Sequence, residues 1–209
     1  MIIVFEGTDG SGKGTQAEKL KEYIINKGKK AFLIDFPNYN SPTGKIIKEY
    51  LHGERKHPPL ELAKLFYEDQ LAQRNNLIEL QKKGVIVILD RYTLSTKVYQ
   101  GANLEEKERR ELISTISEWQ KNLPKEDLTI VFDLPITYSV ERIKKRGRFI
   151  DIHEKNIKYM KKVHDLYIKT AQELKYPIIK CVENKYEKTV NEIFDEVLKI
   201  IKEKIGLIF

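Results

Sequence analysis

The chain contains 209 residues, of which 41% are hydrophobic and 33% are charged, and its formal net charge is +7. This length and balance predict a single globular domain over residues 1–209 with a sizeable core. No apolar run is long enough to cross a membrane. The lone cysteine, Cys181, excludes an internal disulfide and indicates a cytoplasmic setting. The positive charge is compatible with a nucleic acid, a membrane surface or a phosphorylated small molecule as partner.

The first predicted elements are a strand over residues 2–6, a glycine-rich turn and a helix over residues 16–27. The turn has the G-x-x-x-x-G-K spacing of a phosphate-binding loop (P-loop), between the strand and the helix that this motif requires. Glycines let backbone N–H groups approach phosphate oxygens, and the helix N-terminus favours an anion. The alternative is a chance glycine turn at a helix start. The sequence predicts nucleoside triphosphate binding by Gly7, Thr8, Asp9, Gly10, Ser11, Gly12, Lys13, Gly14 and Thr15.

The loop departs from the usual motif at the residue that follows its lysine. Gly14 stands where a serine or threonine normally provides a hydroxyl ligand for magnesium, and the hydroxyl comes one residue later, in Thr15. We therefore expect Thr15 to be the substitute ligand, or the metal to be held more through water.

Four further aliphatic runs, over residues 31–35, 85–89, 128–133 and 177–181, alternate with helical segments. Such runs are typical of strands covered on both faces, so the pattern predicts an α/β fold with a five-stranded, mainly parallel sheet. Ligands of such sheets bind at the carboxyl ends of the strands. The third strand ends there in Asp90, a candidate magnesium ligand, and Arg91, whose fork suits a phosphate. A surface ion pair is the alternative for both residues.

Two later segments carry candidate functional residues. A single helix is predicted over residues 60–83, and its Phe66 is either a core residue or an aromatic that stacks on a base. The basic stretch from Glu141 to Arg148 surrounds Gly147 and predicts a mobile lid over about residues 141–154 that closes on polyphosphate. A solvated charged face is the alternative. The four histidines form no catalytic or metal-binding spacing, and the last helix, over residues 186–205, is predicted to serve packing.

The chain resembles the thymidylate kinase family of P-loop nucleoside monophosphate kinases over essentially its whole length. Three stretches carry this resemblance. They are Phe5-Glu6-Gly7-Thr8-Asp9-Gly10-Ser11-Gly12-Lys13, Asp35-Phe36-Pro37 and Asp90-Arg91-Tyr92-Thr93-Leu94-Ser95-Thr96-Lys97-Val98-Tyr99-Gln100-Gly101. The third is the most specific, because the P-loop alone is shared with many unrelated NTPases.

The resemblance implies dTMP and ATP as substrates, Mg²⁺ as cofactor and a homodimer, with no nucleic acid or membrane partner. Lys13, Arg91 and a lid arginine (Arg142, Arg146 or Arg148) are implied to be catalytic, and Thr15 and Asp90 to hold the metal. Asp9 is implied to reach the acceptor's 3′-hydroxyl or its metal, Phe66 to stack on thymine, and Tyr99 to favour deoxyribose. Thr96 and Gln100 are implied to read the thymine edge. The implied substrate-binding set is Asp9, Phe36, Pro37, Phe66, Gln70, Arg74, Arg91, Ser95, Thr96, Tyr99 and Gln100.

The sequence departs from the family pattern at three places besides Gly14. Asp35 replaces a usual arginine or lysine, so Lys45 or Lys48 is expected to supply the charge. Gln70 replaces a usual arginine, and we expect it to hydrogen-bond a thymine carbonyl, with Arg74 one turn further on the same face. Gly10 stands where some members carry a loop arginine, which favours a lid arginine instead. The alternatives to a dTMP kinase are a kinase for dUMP, dCMP or AMP, or a non-catalytic nucleic-acid-binding protein.

Overall fold

The computed structural model describes residues 1–147 and 149–206. Five parallel strands form one sheet in the order β2-β3-β1-β4-β5. The strands are β1 Ile2–Gly7, β2 Ala31–Asp35, β3 Ile86–Asp90, β4 Leu128–Asp133 and β5 Ile178–Lys180, followed by a hairpin of β6 Val182–Glu183 and β7 Tyr186–Glu187. The helices are α1 Lys13–Asn26, α2 Pro42–Leu51, α3 Pro59–Ala72, α4 Arg74–Lys82, α5 Thr93–Gly101, α6 Glu106–Gln120, α7 Ile136–Lys145, α8 Ile152–Lys155, α9 Ile157–Glu173 and α10 Val190–Ile205.

The sheet is covered on both faces, as the unbroken aliphatic runs predict. Side chains alternate between the faces of a strand, so Ile3 and Phe5 of β1 face one layer while Ile2 and Val4 face the other. Helices α1 and α10 cover the first face, and α4, α5 and α9 cover the second. This arrangement confirms the predicted α/β fold, with all five strands parallel.

The predicted helix over residues 60–83 is wrong, because two helices occupy this stretch. The backbone N–H of Gln73 donates to Gln70 O, only three residues back, and the C=O of Gln73 accepts from Leu77 N. Gln73 therefore ends α3 and begins α4. After the break, α4 packs against the sheet, where Leu77 is fully buried.

The last helix starts later than predicted. The chain first makes the β6–β7 hairpin, whose two turn residues, Asn184 and Lys185, both have positive φ (50° and 65°). Positive φ at both turn residues is the backbone conformation of a two-residue type I′ hairpin turn. Helix α10 then begins after Thr189, whose side chain accepts a hydrogen bond from Glu192 N in a capping box.

The register brings the carboxyl ends of the strands to one edge of the sheet. Asp35 pairs with Asp90, Phe5 pairs with Asp90 on the other side, and Gly7 pairs with Phe132. The P-loop and the start of α5 therefore leave the sheet side by side. Within residues 1–147 and 149–206, no helix combines the length and apolar character that crossing a membrane requires.

Candidate active site

The P-loop leads into the N-terminus of α1, and its backbone conformation and close contacts require glycine at several positions. Gly7 and Gly10 have positive φ (147° and 80°), and an added Cβ would lie 2.8 Å from Phe132 O and 2.9 Å from Ser139 O, respectively. Gly12, with φ of 91°, is the residue before the helix. Only glycine tolerates this combination of backbone conformation and close approach. The loop thus presents backbone N–H groups at a helix N-terminus, which is an anion-binding arrangement.

Lys13, the P-loop lysine, is buried between two carboxylates. Its Nζ lies 3.8 Å from Asp9 Oδ1 and 3.8 Å from Asp90 Oδ1, and the residue is 7% exposed. The lysine is therefore held at the strand-end edge, between the loop that would bind ATP and the end of β3.

The structure explains the glycine at position 14. A Cβ on Gly14 would lie 2.8 Å from Asp90 Oδ2, so the carboxylate fills the space that a serine or threonine side chain would need. Asp90 Oδ1 is buried and has no hydrogen-bond partner among the described residues. Thr15 is exposed and lines a different cavity, whose lining does not include Asp90. The structure therefore does not bring the two predicted metal ligands to one cavity.

Arg91 joins the P-loop to the start of α5. Its backbone has a positive φ of 69°, and its side chain is 13% exposed. Burial opposes its charged form, yet the pKa is raised well above the ordinary value because Asp9 and other acidic groups surround it. The guanidinium donates to Gly7 O at 3.1 Å, Ser95 Oγ at 3.2 Å, Tyr167 OH at 3.2 Å, Asp9 Oδ1 at 2.7 Å and Tyr99 OH at 3.0 Å.

Asp9 remains ionised because its neighbours outweigh its burial. Burial would raise its pKa, but Arg91, Lys13 and the hydroxyl of Tyr99 hold the pKa well below the ordinary range. Tyr99 OH donates to Asp9 Oδ2 at 2.9 Å. The carboxylate is thus fixed by partners on both oxygens, as a substrate-positioning group requires.

Glu6, at the end of β1, organises the start of α5. Its Oε1 accepts from Tyr92 N at 2.9 Å and Ser95 N at 3.1 Å, and its Oε2 accepts from Ser95 Oγ at 2.5 Å and Tyr167 OH at 3.0 Å. The side chain is fully buried, and burial raises its pKa. One carboxylate therefore binds two backbone N–H groups at the start of α5, those of Tyr92 and Ser95, and so acts as a helix cap.

A cavity of about 520 Å³, counted to its open mouth, lies beside this network. The Phe36–Pro37 peptide on its wall is cis. The structure brings together here ten predicted substrate-binding residues: Asp9, Phe36, Pro37, Phe66, Gln70, Arg91, Ser95, Thr96, Tyr99 and Gln100.

Arg74, the remaining predicted substrate-binding residue, does not line this cavity. It is exposed, and its Nε donates to Asn122 O at 2.8 Å. Arg74 and Gln70 would share one face only in a continuous helix. Because the helix breaks at Gln73, the two side chains do not lie on the same face. Lys45 and Lys48 are likewise exposed and do not line the cavity.

A second cavity of about 800 Å³, counted to its open mouth, also borders the P-loop. Ser11, Gly12 and Thr15 line it from the loop side, and the segment Glu187–Ile193 lines it from the hairpin and α10. Arg142 of α7 also lines it, and its Nη1 donates to Gly10 O at 3.1 Å. The two cavities therefore contact different residues of the P-loop, the first Asp9 and the second Ser11, Gly12 and Thr15.

The candidate lid arginines have different surroundings. Arg142 lies against the P-loop and forms an ion pair with Glu187 at 2.7 Å. Arg146 instead forms an ion pair at 2.7 Å with Glu154, a buried residue of α8. Arg148 lies outside the described residues. Of the two described arginines, Arg142 is the one that contacts the loop.

Comparisons with known proteins agree with this geometry. The family model described as thymidylate kinase matches residues 5–193. The chain belongs to the thymidylate kinase family. A probable thymidylate kinase of Methanocaldococcus jannaschii is 34% identical over 203 residues, which cover 97% of this chain and 96% of the relative. A probable thymidylate kinase of Archaeoglobus fulgidus is 31% identical over 209 residues, covering 99% and 97%.

A solved structure gives the same result. The thymidylate kinase of Candida albicans superposes with a TM-score of 0.79 and 25% identity, covering 98% of this chain and 92% of that one. These comparisons give no support to a kinase for another monophosphate or to a nucleic-acid-binding protein. The fold and the family predicted from sequence are confirmed.

The sequence reasoning missed two titratable residues in the cavity wall. His153 is 7% exposed, its Nε2 lies 3.1 Å from Tyr50 OH, and its ring stacks on Tyr99 at 5.5 Å. Burial lowers the pKa of His153 to about 4 and raises that of Asp151 to about 6. The available signal was Asp151-x-x-Glu154, a capping box that starts α8 directly after the basic stretch. The fold thus places a neutral histidine against Tyr99.

Gln70 does not present the group that we expected from the sequence. Its Nε2 donates to Tyr92 O at 3.0 Å and to Thr96 Oγ1 at 3.3 Å, so both amide N–H bonds are used within the protein. This arrangement does not favour the expected donation from Gln70 to a thymine carbonyl. The unpaired atom of Gln70 is its oxygen, Oε1.

Proposed function

We propose that this chain transfers the γ-phosphoryl group of ATP to dTMP, giving dTDP and ADP. The observation that carries the proposal is the position of Arg91. Its guanidinium donates both to the backbone of the P-loop, at Gly7 O, and to Asp9, which lines the 520 Å³ cavity. Phosphoryl transfer requires the donor and acceptor phosphates to meet in line with their charge neutralised, and a cation at this junction serves both requirements.

Each side of the junction has a distinct task. On the donor side, the loop N–H groups and Lys13 hold the polyphosphate of ATP. On the acceptor side, Phe66 stacks on the base, and Asp9 and Tyr99 position the deoxyribose. Arg91 and Arg142 stabilise charge on the group in transfer. The acceptor oxygen belongs to a phosphate anion, so the reaction requires no strong general base.

The metal proposal rests on Asp90. Its Oδ1 is a buried carboxylate oxygen without a hydrogen-bond partner in residues 1–147 and 149–206, the kind of ligand that Mg²⁺ accepts. The described residues contain no cluster of three or more His, Cys, Asp or Glu side chains that could hold a metal by themselves. We therefore propose that Asp90 holds Mg²⁺ together with water and the phosphates of ATP. The ion would neutralise phosphate charge, and Thr15 is the weaker candidate because it is turned to the second cavity.

A coupled ADP-release assay tests this function. The purified protein receives ATP, MgCl₂ and one of dTMP, dUMP, dCMP or AMP, and we expect dTMP to give the highest kcat/KM. Failure to release ADP with dTMP would refute the proposal. The Arg91→Ala variant should lose roughly a hundredfold or more in turnover. The exposed Arg110→Ala is its control, and unchanged turnover in Arg91→Ala would remove Arg91 from the mechanism.

The homodimer, the cytoplasmic setting and the closing motion of segment 141–154 stay predictions. Sedimentation equilibrium of the purified protein tests the first. Lid closure predicts that residues 141–147 exchange their amide hydrogens more slowly when ATP and dTMP are both bound.

A further inference from the structure

Two buried amide groups in the wall of the 520 Å³ cavity lack partners. Gln70 is 2% exposed and Gln100 is 6% exposed, and both line the cavity. Within the described residues, Gln70 Oε1 accepts no hydrogen bond and Gln100 Nε2 donates none. Buried polar groups normally find partners, and leaving one unpaired is costly. Together they offer one acceptor and one donor to whatever enters this cavity.

The orientation of the Gln70 amide is fixed by a group that cannot change its role. Tyr92 O is a backbone carbonyl and only accepts, so the amide nitrogen must face it, as it does at 3.0 Å. Turning the amide over would bring Oε1 against Tyr92 O, two acceptors in contact. The second amide N–H is directed at Thr96 Oγ1 at 3.3 Å. Oε1 is therefore the group that Gln70 can offer to a ligand.

The orientation of Gln100 is not fixed in this way. Its Nε2 has no hydrogen-bond partner in the part of the chain that the structure describes, so no contact of this atom sets the orientation of the amide. Its amide can therefore present either N–H or C=O to a ligand, because the two orientations have nearly the same shape. Gln70 therefore requires a hydrogen-bond donor on the ligand, whereas the amide of Gln100 can turn to match either a donor or an acceptor.

We propose that Gln70 Oε1 accepts a hydrogen bond from N3–H of the pyrimidine, and that Gln100 Nε2 donates to a neighbouring carbonyl of the base. Gln70 is thus a specificity-determining residue that recognises the N–H of the base and not its carbonyl. The inference deepens the proposed function and rests on it.

This assignment separates the pyrimidines by chemistry. Thymine and uracil both carry N3–H between two carbonyl groups, which matches one fixed acceptor beside one donor. Cytosine has a lone pair on N3, so its N3 would face Oε1 as a second acceptor. Gln70 therefore favours thymine and uracil over cytosine, and the choice between thymine and uracil depends on groups other than Gln70.

An isosteric substrate analogue tests the proposal on the unaltered protein. The analogue is 5-methyl-dCMP, which has the size and shape of dTMP but carries a lone pair at N3 in place of N3–H, and an amino group in place of the 4-carbonyl group. We expect its KM, and its Kd in calorimetry, to exceed those of dTMP by about ten- to a hundredfold, with kcat nearly unchanged. Equal KM and Kd for the two nucleotides, within twofold, would overturn the proposal. Absence of any turnover of dTMP would instead refute the proposed function.

Two variants then assign the effect to Gln70. Gln70→Met removes the acceptor, and Gln70→Arg removes it while keeping donors for Tyr92 O and Thr96, which protects the fold. In both, the ratio of Kd between the analogue and dTMP should fall towards one, because this double-mutant cycle isolates the pairwise contact. The exposed Gln172→Met is the matched control and should keep the full ratio. A ratio that survives in a folded Gln70→Arg protein would show that another residue reads N3–H.

Discussion

The ion pair between Asp9 and Arg91 provides a quantitative test of how the site is held together. The change is Arg91→Met, which keeps most of the stem, combined with Asp9→Asn in a double-mutant cycle. In the parent, Arg91 Nη2 lies 2.7 Å from Asp9 Oδ1, and the side chains are 13% and 26% exposed. The quantity measured is the free energy of unfolding without ligands.

The structure sets the expected size of the coupling. Two unit charges at this separation attract by roughly 4–6 kcal/mol at an effective dielectric constant of about 20. Desolvation opposes this attraction, and Asp9 keeps Lys13 at 3.8 Å and Tyr99 OH at 2.9 Å when Arg91 is lost. We therefore expect a coupling free energy of about 2 kcal/mol. Arg91→Met alone should destabilise the protein by about 3–5 kcal/mol, because a buried carboxylate loses its main partner.

The assay is urea unfolding at pH 7.5, followed by circular dichroism and by the fluorescence of Trp119, the single tryptophan. The matched control is the cycle of Arg110→Met and Glu106→Gln, an ion pair on α6 with side chains 75% and 67% exposed, which should show no measurable coupling because solvent screens it. Additive effects at Asp9 and Arg91, within about 0.4 kcal/mol, would refute the reasoning.

The pH dependence of the coupling follows from the lowered pKa of Asp9. A carboxyl whose folded-state pKa is lowered stabilises the protein above its unfolded-state pKa, about 3.9, and loses that contribution as the pH falls. The coupling should therefore be constant between about pH 5 and 8 and should shrink below about pH 4. A coupling that grew on acidification would contradict the assignment of a charged Asp9.

Three further changes test other parts of the site. Gly14→Ser restores the usual P-loop hydroxyl but must displace Asp90, so kcat should fall about tenfold or more and the Mg²⁺ requirement should rise; a more active variant would contradict the role given to Asp90. Phe66→Ala should raise KM for dTMP about tenfold with little change in kcat, since base stacking contributes about 1–3 kcal/mol, and an unchanged KM would exclude stacking. Asp151→Asn keeps the helix cap and removes a carboxyl whose pKa is raised to about 6. As the pH rises from about 4 to about 6, the free energy of unfolding of the parent should fall while that of the variant does not. The variant should therefore be more stable at pH 7 by about 1–2 kcal/mol in urea unfolding. An equal dependence of the two unfolding free energies on pH would contradict this prediction.

The parts of the molecule that sequence predicts well depend on local patterns. Each strand of the sheet is an unbroken aliphatic run, and the predicted bounds differ from the observed ones by at most a residue or so at each end. Asp90 and Arg91 were predicted at the carboxyl edge because they directly follow such a run. The P-loop spacing encodes its own backbone geometry, so it too could be predicted.

The remaining features depend on contacts between distant residues. Neither glycine nor proline marks the helix break at Gln73. The hydrophobic periodicity therefore predicts one helix where there are two, and it wrongly places Arg74 on the same helix face as Gln70. The orientation of Gln70 is set by Tyr92 O, 22 residues away, which no local pattern encodes. His153 is brought against Tyr99 by the fold of the segment after the basic stretch. The tertiary environment, and not the residue type, decides what each of these side chains offers.

The carboxylate of Glu6 has a consequence for motion in the molecule. The end of β1 continues directly into the P-loop, and the carboxylate of Glu6 also binds the start of α5. The P-loop and the helix that carries Ser95, Thr96, Tyr99 and Gln100 therefore cannot shift relative to one another without breaking three buried hydrogen bonds. The two halves of the reaction centre are therefore assembled once, when the protein folds, and not anew in every catalytic cycle. Any opening that admits or releases nucleotides has to come from the outer elements, such as the segment that carries Asp151 and His153.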